Sequence, residues 1–250
     1  MTLELNTIIQ GDCMEVMKNI PDKSIDLVLT DPPYGTTACD WDKVVSFNDM
    51  WREIKRITKS GQAVITGSQP FTSLLVASNI DNFKHEWIWQ KNAGSNFACV
   101  KYQPMKEHEN ILVFCDGVIE YNPIKQKRAI SGKARVKHKI NPSTKSDCYG
   151  DLVMKDSKLF DDLRFPSSIQ KFNRERGLHP TQKPVLLWKY LIKTFSNEGQ
   201  TILDPFAGSG TTAIACHDLK RNFICIEKEP EYHAIATKRY NEAKAQMTLF

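Results

Sequence analysis

Thr201-Ile-Leu-Asp-Pro-Phe-Ala-Gly-Ser-Gly-Thr-Thr212 joins a short apolar run to an acidic residue, a glycine turn and the start of a helical pattern. The apolar run predicts a buried strand ending at Asp204, and Thr211 to Leu219 predicts the helix that follows. Between them Gly208 and Gly210 let the backbone turn tightly and approach a ligand with no Cβ in the way. Asn222-Phe-Ile-Cys-Ile226 then reads as the next strand, with Glu227 at its C-terminal end, where an acidic side chain can accept both hydroxyls of a ribose. This strand–turn–helix–strand unit is a nucleotide-type crevice. It has no Gly-Lys-Thr or Gly-Lys-Ser ending, which argues against a phosphate-cradling P-loop, and it lacks the third glycine of the dinucleotide fingerprint.

The same alternation extends along the chain and predicts a mainly parallel α/β sheet. Ser24 to Thr30 reads as a buried strand, Asn48 to Lys59 as a helix capped by Asn48 and closed by Gly61, Gln62 to Thr66 as a strand and Pro70 to Ser78 as a helix. His85 to Trp89 and Asn110 to Phe114 form a further pair of strands. The rhythm breaks from Tyr121 to Gly177 and resumes with a helix over Pro184 to Phe195 and a last helix from about Pro230.

The Ser24 strand runs into Asp31-Pro-Pro-Tyr34. Two successive prolines fix their own φ and drive Asp31 and Pro32 towards extended geometry, so the Asp31 carboxylate and the Pro32 carbonyl stand as rigid acceptors. Two acceptors match the two hydrogens of an –NH₂ group. Tyr34 adds an aromatic face on which an extruded base can stack.

The chain has 250 residues, 41% hydrophobic and 25% charged, which suits one globular domain with an inserted lobe. No run approaches the roughly 18 apolar residues of a membrane helix, and the N-terminus lacks the layout of a signal peptide, so a cytoplasmic place with no membrane partner is expected. Seven scattered cysteines, none in Cys-x-x-Cys spacing, argue against a disulfide framework and a zinc site. The net charge is +5, and it is unevenly spread: from Tyr121 to Ser146 lie Lys125, Lys127, Arg128, Lys133, Arg135, Lys137, Lys139 and Lys145 without one Asp or Glu. Such a block favours a polyanion, held in a salt-sensitive way by counterion release.

With these motifs the chain resembles the amino-directed DNA methyltransferases, whose active site carries Asp/Asn/Ser-Pro-Pro-Tyr/Phe and whose cofactor loop is rich in Phe-x-Gly-x-Gly. The tetrapeptide precedes the loop, with the basic segment between them, which is the β arrangement of that family. The resemblance covers nearly the whole chain. It implies a Rossmann-like S-adenosylmethionine-dependent methyltransferase fold, a mainly parallel seven-stranded sheet with helices on both faces and an inserted target-recognition segment. The implied organisation is a catalytic half over 1–120, the basic segment over 121–177, a cofactor-binding half over 178–245 and a tail over 246–250.

The resemblance also assigns residues. Asp31, Pro32 and Tyr34 are the catalytic set. Asp12, in Gly11-Asp12, contacts the cofactor adenine. Thr181 and Lys183, in His179-Pro-Thr-Gln-Lys-Pro184, hold the methionine carboxylate. Asp204, Phe206, Gly208, Ser209, Gly210 and Thr211 line the cofactor pocket, and Glu227 takes the ribose. The sulfonium already activates the methyl group, so the protein mainly positions the amine and excludes water. Methylation at carbon 5 of cytosine would need a nucleophilic cysteine, in its family a Pro-Cys pair, and the chain has none. Asp at the first motif position favours N6 of adenine over N4 of cytosine; the basic segment favours nucleic acid over protein, and the β arrangement favours double-stranded DNA over RNA. A non-catalytic DNA-binding module on the same fold would keep the basic segment and lose the acceptor geometry. Gln246-Met-Thr-Leu-Phe250 is similar to the short peptides by which bacterial proteins dock on the DNA sliding clamp. The sequence leaves the oligomeric state open, a homodimer included.

Overall fold

A computed structural model describes residues 4–37, 39, 41–127, 145–146, 150–151, 163–175, 177 and 182–247. They fall into two compact units, one of residues 1–122 and 168–250 and the other of residues 123–167.

The larger unit is built on an eight-stranded sheet. In chain order its strands and helices are β1 (Thr7–Gln10), α1 (Cys13–Met17), β2 (Leu27–Thr30), α2 (Phe47–Ile57), β3 (Ala63–Gly67), α3 (Phe71–Ala77), β4 (Phe83–Ser95) and β5 (Lys106–Phe114). After the smaller unit come β10 (Ile169–Lys171), α4 (Val185–Phe195), β11 (Thr201–Asp204), α5 (Thr211–Asp218), β12 (Asn222–Glu227) and α6 (Pro230–Met247). The strand order is β1-β12-β11-β2-β3-β5-β4-β10. Pairing is parallel except where β5 runs antiparallel between β3 and β4. The eighth strand is β10, which pairs in parallel with β4 through Ile169–Lys171. It arises from the stretch whose sequence shows no strand period, because three residues in an otherwise polar segment leave no alternation to read.

Alternation along the strands sorts the core into two layers. Leu27 and Leu29 of β2, Val64 of β3, Trp87 and Trp89 of β4 and Ile202 of β11 pack with Leu187, Trp188 and Leu191 of α4 and Ala213 and Cys216 of α5. Val28, Ile65, Leu112, Leu203 and Ile224 face the other way, onto Met17, Met50, Ile54, Ile57 and Leu75 from α1, α2 and α3. Helices therefore cover both faces, and strands buried on both sides read as continuous apolar runs.

Two local features differ from expectation. The N-cap of α2 is Ser46 and not Asn48: the Ser46 hydroxyl accepts from the Asp49 amide at 3.4 Å, so the helix begins at Phe47 and Asn48 lies within its first turn. Both side chains can cap, and the one three residues before the free amide has the reach. The strands β4 and β5 are longer than their apolar cores, because polar residues extend the antiparallel ladder to Ser95 and Lys106.

The smaller unit pairs β6 (Gln126–Lys127) with β9 (Leu163–Arg164) and β7 (Lys145–Ser146) with β8 (Gly150–Asp151), both antiparallel. It is narrower than the expected 121–177 segment, since residues 168–177 belong with the larger unit. Among the described residues no helix is long and apolar enough to cross a membrane.

Candidate active site

The chain leaves β2 towards β3 and leaves β11 towards β12, in opposite directions across the sheet. A crevice opens at such a reversal, beyond the carboxyl ends of the strands. Here it is a cavity of about 790 Å³. It is lined by the tetrapeptide Asp31 to Tyr34 from the end of β2, by Asp204 to Ser209 from the end of β11 and by Glu227 from the end of β12. The two motifs, distant in sequence, form one site because their strands are neighbours.

Asp204 ties the motifs together. One of its oxygens accepts from Thr30 Oγ1 at 2.6 Å and from the Phe206 amide at 3.1 Å, and the other accepts from the Thr212 hydroxyl. Thr212 in turn accepts from Trp188 Nε1 at 2.8 Å. Asp204 thus lines the cavity, but its carboxylate is committed to holding the β11 turn against β2 and α5. Burial raises its pKa to about 6, even though the bonds from Thr212 and Thr30 oppose the rise.

The cofactor end is built from Glu227 and the glycine turn. Glu227 is 8% exposed; one oxygen accepts from the Gly208 amide at 2.7 Å and the other from the Glu229 amide at 2.9 Å. Each carboxylate oxygen has a second lone pair, so a vicinal diol can still be bound. Burial raises the Glu227 pKa, and the amides of Glu229 and Gly208 hold part of that rise back. Phe206 and Gly208 line the same space. Gly210 does not: it has φ +78°, and a Cβ there would meet the Ala236 Cβ of α6 at 2.9 Å, so this glycine serves helix packing. Ser209 lines the cavity while its carbonyl and hydroxyl accept from Arg239, at 3.0 and 3.2 Å. Thr211 donates to the Lys183 carbonyl at 3.2 Å. Asp12 caps α1 through the Met14 amide at 2.9 Å and meets Lys228 at 3.2 Å, at the edge of the cavity near Glu227. The volume, the paired carboxylate and the aromatic wall of Phe206 fit an adenosyl group with a short charged tail.

At the other end, Asp31 is enclosed. One oxygen accepts from Tyr34 Oη and from Thr66 Oγ1, each at 2.5 Å, and the other takes the Lys183 ammonium. Tyr34 packs on Phe71 with ring centroids 5.0 Å apart. Pro32 is buried and lines the cavity beside Asp31. Lys183, which lines the cavity and directly precedes Pro184, the N-cap of α4, meets the Asp31 carboxylate through its ammonium. It lies also 3.3 Å from Glu109, which pairs with Lys91 at 2.5 Å. Burial works against the Lys183 charge, but Asp31 and Glu109 outweigh it and hold its pKa above the ordinary lysine value. Burial likewise disfavours ionised Glu109, and Lys183 with Lys91 brings its pKa below the usual range.

Sequence reasoning missed Thr66, Lys91, Glu109, Trp41 and Asp42. The loop after Tyr34 is held by Asp42, whose carboxylate accepts from the amides of Gly35, Thr36 and Thr37 at 2.7 to 2.9 Å. Trp41 meets Tyr232 of α6 edge-on at 6.4 Å, and both line the cavity. A glutamate directly before the apolar run Asn110 to Phe114 was the available signal for Glu109, since it sits at the ligand-bearing end of the sheet. Thr181 lies outside the described residues, as do Arg128, Lys133, Arg135, Lys137 and Lys139. Lys125 and Lys127 belong to the smaller unit.

The raised Asp204 pKa has a thermodynamic consequence. Between about 3.8 and about 6 the folded state binds more protons than the unfolded one, so this stabilisation is complete at low pH and lost as pH rises through about 6. The difference is on the order of 3 kcal/mol. Asp204→Asn keeps an acceptor for Thr30 and Phe206, and its denaturant midpoint should vary less than wild type over that window. Parallel curves for the two proteins between pH 4 and 7 would assign the titration elsewhere.

Residues 25–238 match the family described as DNA methylase. The chain is 31% identical to the Type II methyltransferase M.HinfI of Haemophilus influenzae, over 96% of this chain and 69% of that protein. It is 30% identical to the Type II methyltransferase M2.MboI of Moraxella bovis, over 94% and 87%. Among solved structures it is similar to the M1.HpyAVI–SAM complex, with a TM-score of 0.65 and 26% identity over 93% of this chain and 98% of that one. The cytosine-N4-specific PvuII DNA methyltransferase shares the fold, with a TM-score of 0.66 at 16% identity over 98% and 92% of the two chains. The chain therefore belongs to the DNA methylase family, the S-adenosylmethionine-dependent N6/N4 methyltransferases of DNA.

Proposed function

We propose that this enzyme methylates the N6 amine of adenine in duplex DNA, after the base has turned out of the helix, with Asp31 and the Pro32 carbonyl receiving the amine. The observation that carries the reading is the position of Asp31 at the reversal point, in one cavity with Glu227 and the glycine turn. S-adenosylmethionine supplies an electrophilic methyl on a sulfonium, and Glu227, Phe206 and Gly208 would hold its adenosyl part.

The protein's own contribution is positional and electrostatic. An acceptor pair on Asp31 and Pro32 orients the amine and favours electron density on nitrogen as its positive charge develops. Thr66 and Tyr34 fix the Asp31 carboxylate from one side, which limits its rotation. Water exclusion comes from the Asp42-held loop and the Trp41–Tyr232 contact, which wall the cavity. The preference for adenine rests on Asp at the first motif position. The test is transfer of labelled methyl to duplex DNA by wild type and Asp31→Ala, followed by nucleoside analysis. N6-methyladenine that falls at least about 100-fold in the mutant is expected, the scale of losing an oriented acceptor. N4-methylcytosine would overturn the base assignment and keep the site.

Target recognition is assigned to the basic segment, supported by the eight cations without a carboxylate between Tyr121 and Ser146. Replacing Lys133, Arg135 and Lys137 with Ala should weaken DNA binding and reduce the slope of log K against log salt by about 0.9 for each phosphate no longer neutralised. An unchanged slope would place these cations away from DNA. A DNA substrate also implies a cytoplasmic place.

The tail Gln246–Phe250 is assigned to a bacterial sliding clamp. Its support is the motif itself and its place at the end of α6, with residues 248–250 outside the described residues. Size-exclusion chromatography with light scattering, with and without clamp, should show a complex that deletion of the five residues abolishes. The same run without clamp reads out a homodimer, and clamp binding that survives the deletion would dismiss the tail.

A further inference from the structure

Asp31 poses a problem for the reaction assigned to it. Its two oxygens are already taken, one by Tyr34 and Thr66 and the other by the Lys183 ammonium. An incoming amine brings developing positive charge to the same carboxylate, where a resident ammonium would repel it. Lys183 cannot escape to water, since its side chain is 6% exposed, and an unpaired buried charge is strongly disfavoured.

The structure offers a second place for that ammonium. Glu109 projects from β5 at the same edge of the sheet, and its Oε2 is 3.3 Å from Lys183 Nζ. That oxygen is buried and makes no hydrogen bond of good geometry, while its partner Oε1 is held by Lys91. Lys183 therefore stands between two carboxylates, bonded to one and close to an oxygen of the other that has room for it.

Resting on the methyl-transfer reading above, we propose that Glu109 is a positioning residue for catalysis: it takes the Lys183 ammonium when the target amine docks on Asp31, freeing that carboxylate to receive the amine. No bond to carbon forms or breaks and no proton changes owner in this step; a cation exchanges one anionic partner for another across the site. The charged groups that face Lys183 are Asp31 after β2 and Glu109 on β5, with the Tyr34 ring 5.8 Å away, and Glu109 in turn faces Lys91 on β4 and Lys106 at the start of β5. Lys91 anchors Glu109 so that it does not itself follow Lys183 towards Asp31.

The role predicts how kcat depends on pH. With Glu109 present, Lys183 is held above the ordinary lysine value and stays charged through the working range, so its titration should leave no mark on the kcat profile. Glu109→Gln removes one of its two anions and the seat it moves to. That variant should lose at least about 30-fold in kcat at neutral pH, leave the dissociation constant for S-adenosylmethionine within about twofold, and regain rate as pH is raised, because Lys183 with one anion fewer loses its proton more readily and no longer competes for Asp31. Glu109→Asp should recover part of the rate. Lys91→Gln removes a cation and leaves both anions of Lys183 in place, so its profile should remain flat. In a Lys183→Met background, adding Glu109→Gln should change kcat by no more than about twofold, because the group it serves is gone.

Methyl transfer by Glu109→Gln at the wild-type rate and pH profile would overturn the proposal. So would equal losses in cofactor binding and kcat, or independent, multiplicative losses in the double variant, which mark a structural part. Should Glu109→Gln fail to fold, the Lys91→Gln profile and the rate of Glu109→Asp decide it: a gain of rate at alkaline pH in the former or full loss in the latter counts against the exchange. Wild-type protein that binds S-adenosylmethionine and methylates no DNA would instead overturn the underlying reaction assignment, a different result from any of these.

Discussion

The adjacency of β2 and β11 governs this molecule. Parallel strands need long crossover connections, so the segments leading away from each strand end must diverge to opposite sides. At the one pair where the order reverses, they leave a gap that no connection covers. Thr30 at the end of β2 donates to Asp204 at the end of β11, and Asp204 also receives Thr212 from the first turn of α5. A carboxylate buried to 3% exposure would normally be costly. Here two hydroxyls and an amide satisfy it, and its raised pKa records what burial still costs. The bond network fixes the tetrapeptide Asp31 to Tyr34 relative to the glycine turn after β11, and the proposed transfer depends on that distance.

A second constraint is charge. Asp31, Lys183, Glu109 and Lys91 form a row of alternating sign, of which the first three line the cavity. Any one of them alone would be strongly disfavoured away from water, and the row as a whole is neutral. Such a row is poor at adding stability compared with apolar packing of the same volume. It can redistribute cations among anions at small cost, which an apolar wall cannot do. The site must receive a neutral amine that becomes positive during the reaction, so a neutral, adjustable surround suits it better than a fixed excess of either charge.

The fold was largely legible because most strands here are buried on both faces and their apolar runs end at turn residues. Ser24 to Thr30, Thr201 to Asp204 and Asn222 to Ile226 all meet that description, and each ends on or directly before a residue that lines the cavity. What sequence could not supply was the partner of each end. Asp204 reads equally as a cofactor ligand or a brace, and only its contacts with Thr30 and Thr212 distinguish them. Gly210 reads as a ligand-approach glycine, and the approach turns out to be that of Ala236. Lys183 meets Asp31 although the two are 152 residues apart in sequence, a pairing that only the placement of α4 beside the tetrapeptide reveals. The strand β10 and the cap at Ser46 were missed for local reasons, one too short to show a period and the other two residues from an equally good capping side chain.

Glu109 shows how sheet geometry can assemble a site that no motif announces. In β5, Ile111 and Val113 belong to the layer beneath α4 and α5, while Leu112 and Phe114 face the other layer. A strand alternates faces, so Glu109 shares the side of Ile111. Leu29 of β2 and Val64 of β3 belong to that same layer, which places Asp31 and Thr66, two residues further on, on that side too. Trp87 and Trp89 of β4 continue the pattern towards Lys91. Because β5 is antiparallel to β3, with Gly67 opposite Asn110, its beginning lies at the edge where β2 and β3 end. Had β5 joined in parallel, position 109 would stand at the opposite edge, far from Asp31. A slip of one residue would leave it at the right edge on the wrong face. The single antiparallel strand in the middle of the sheet is therefore what brings a carboxylate to Lys183.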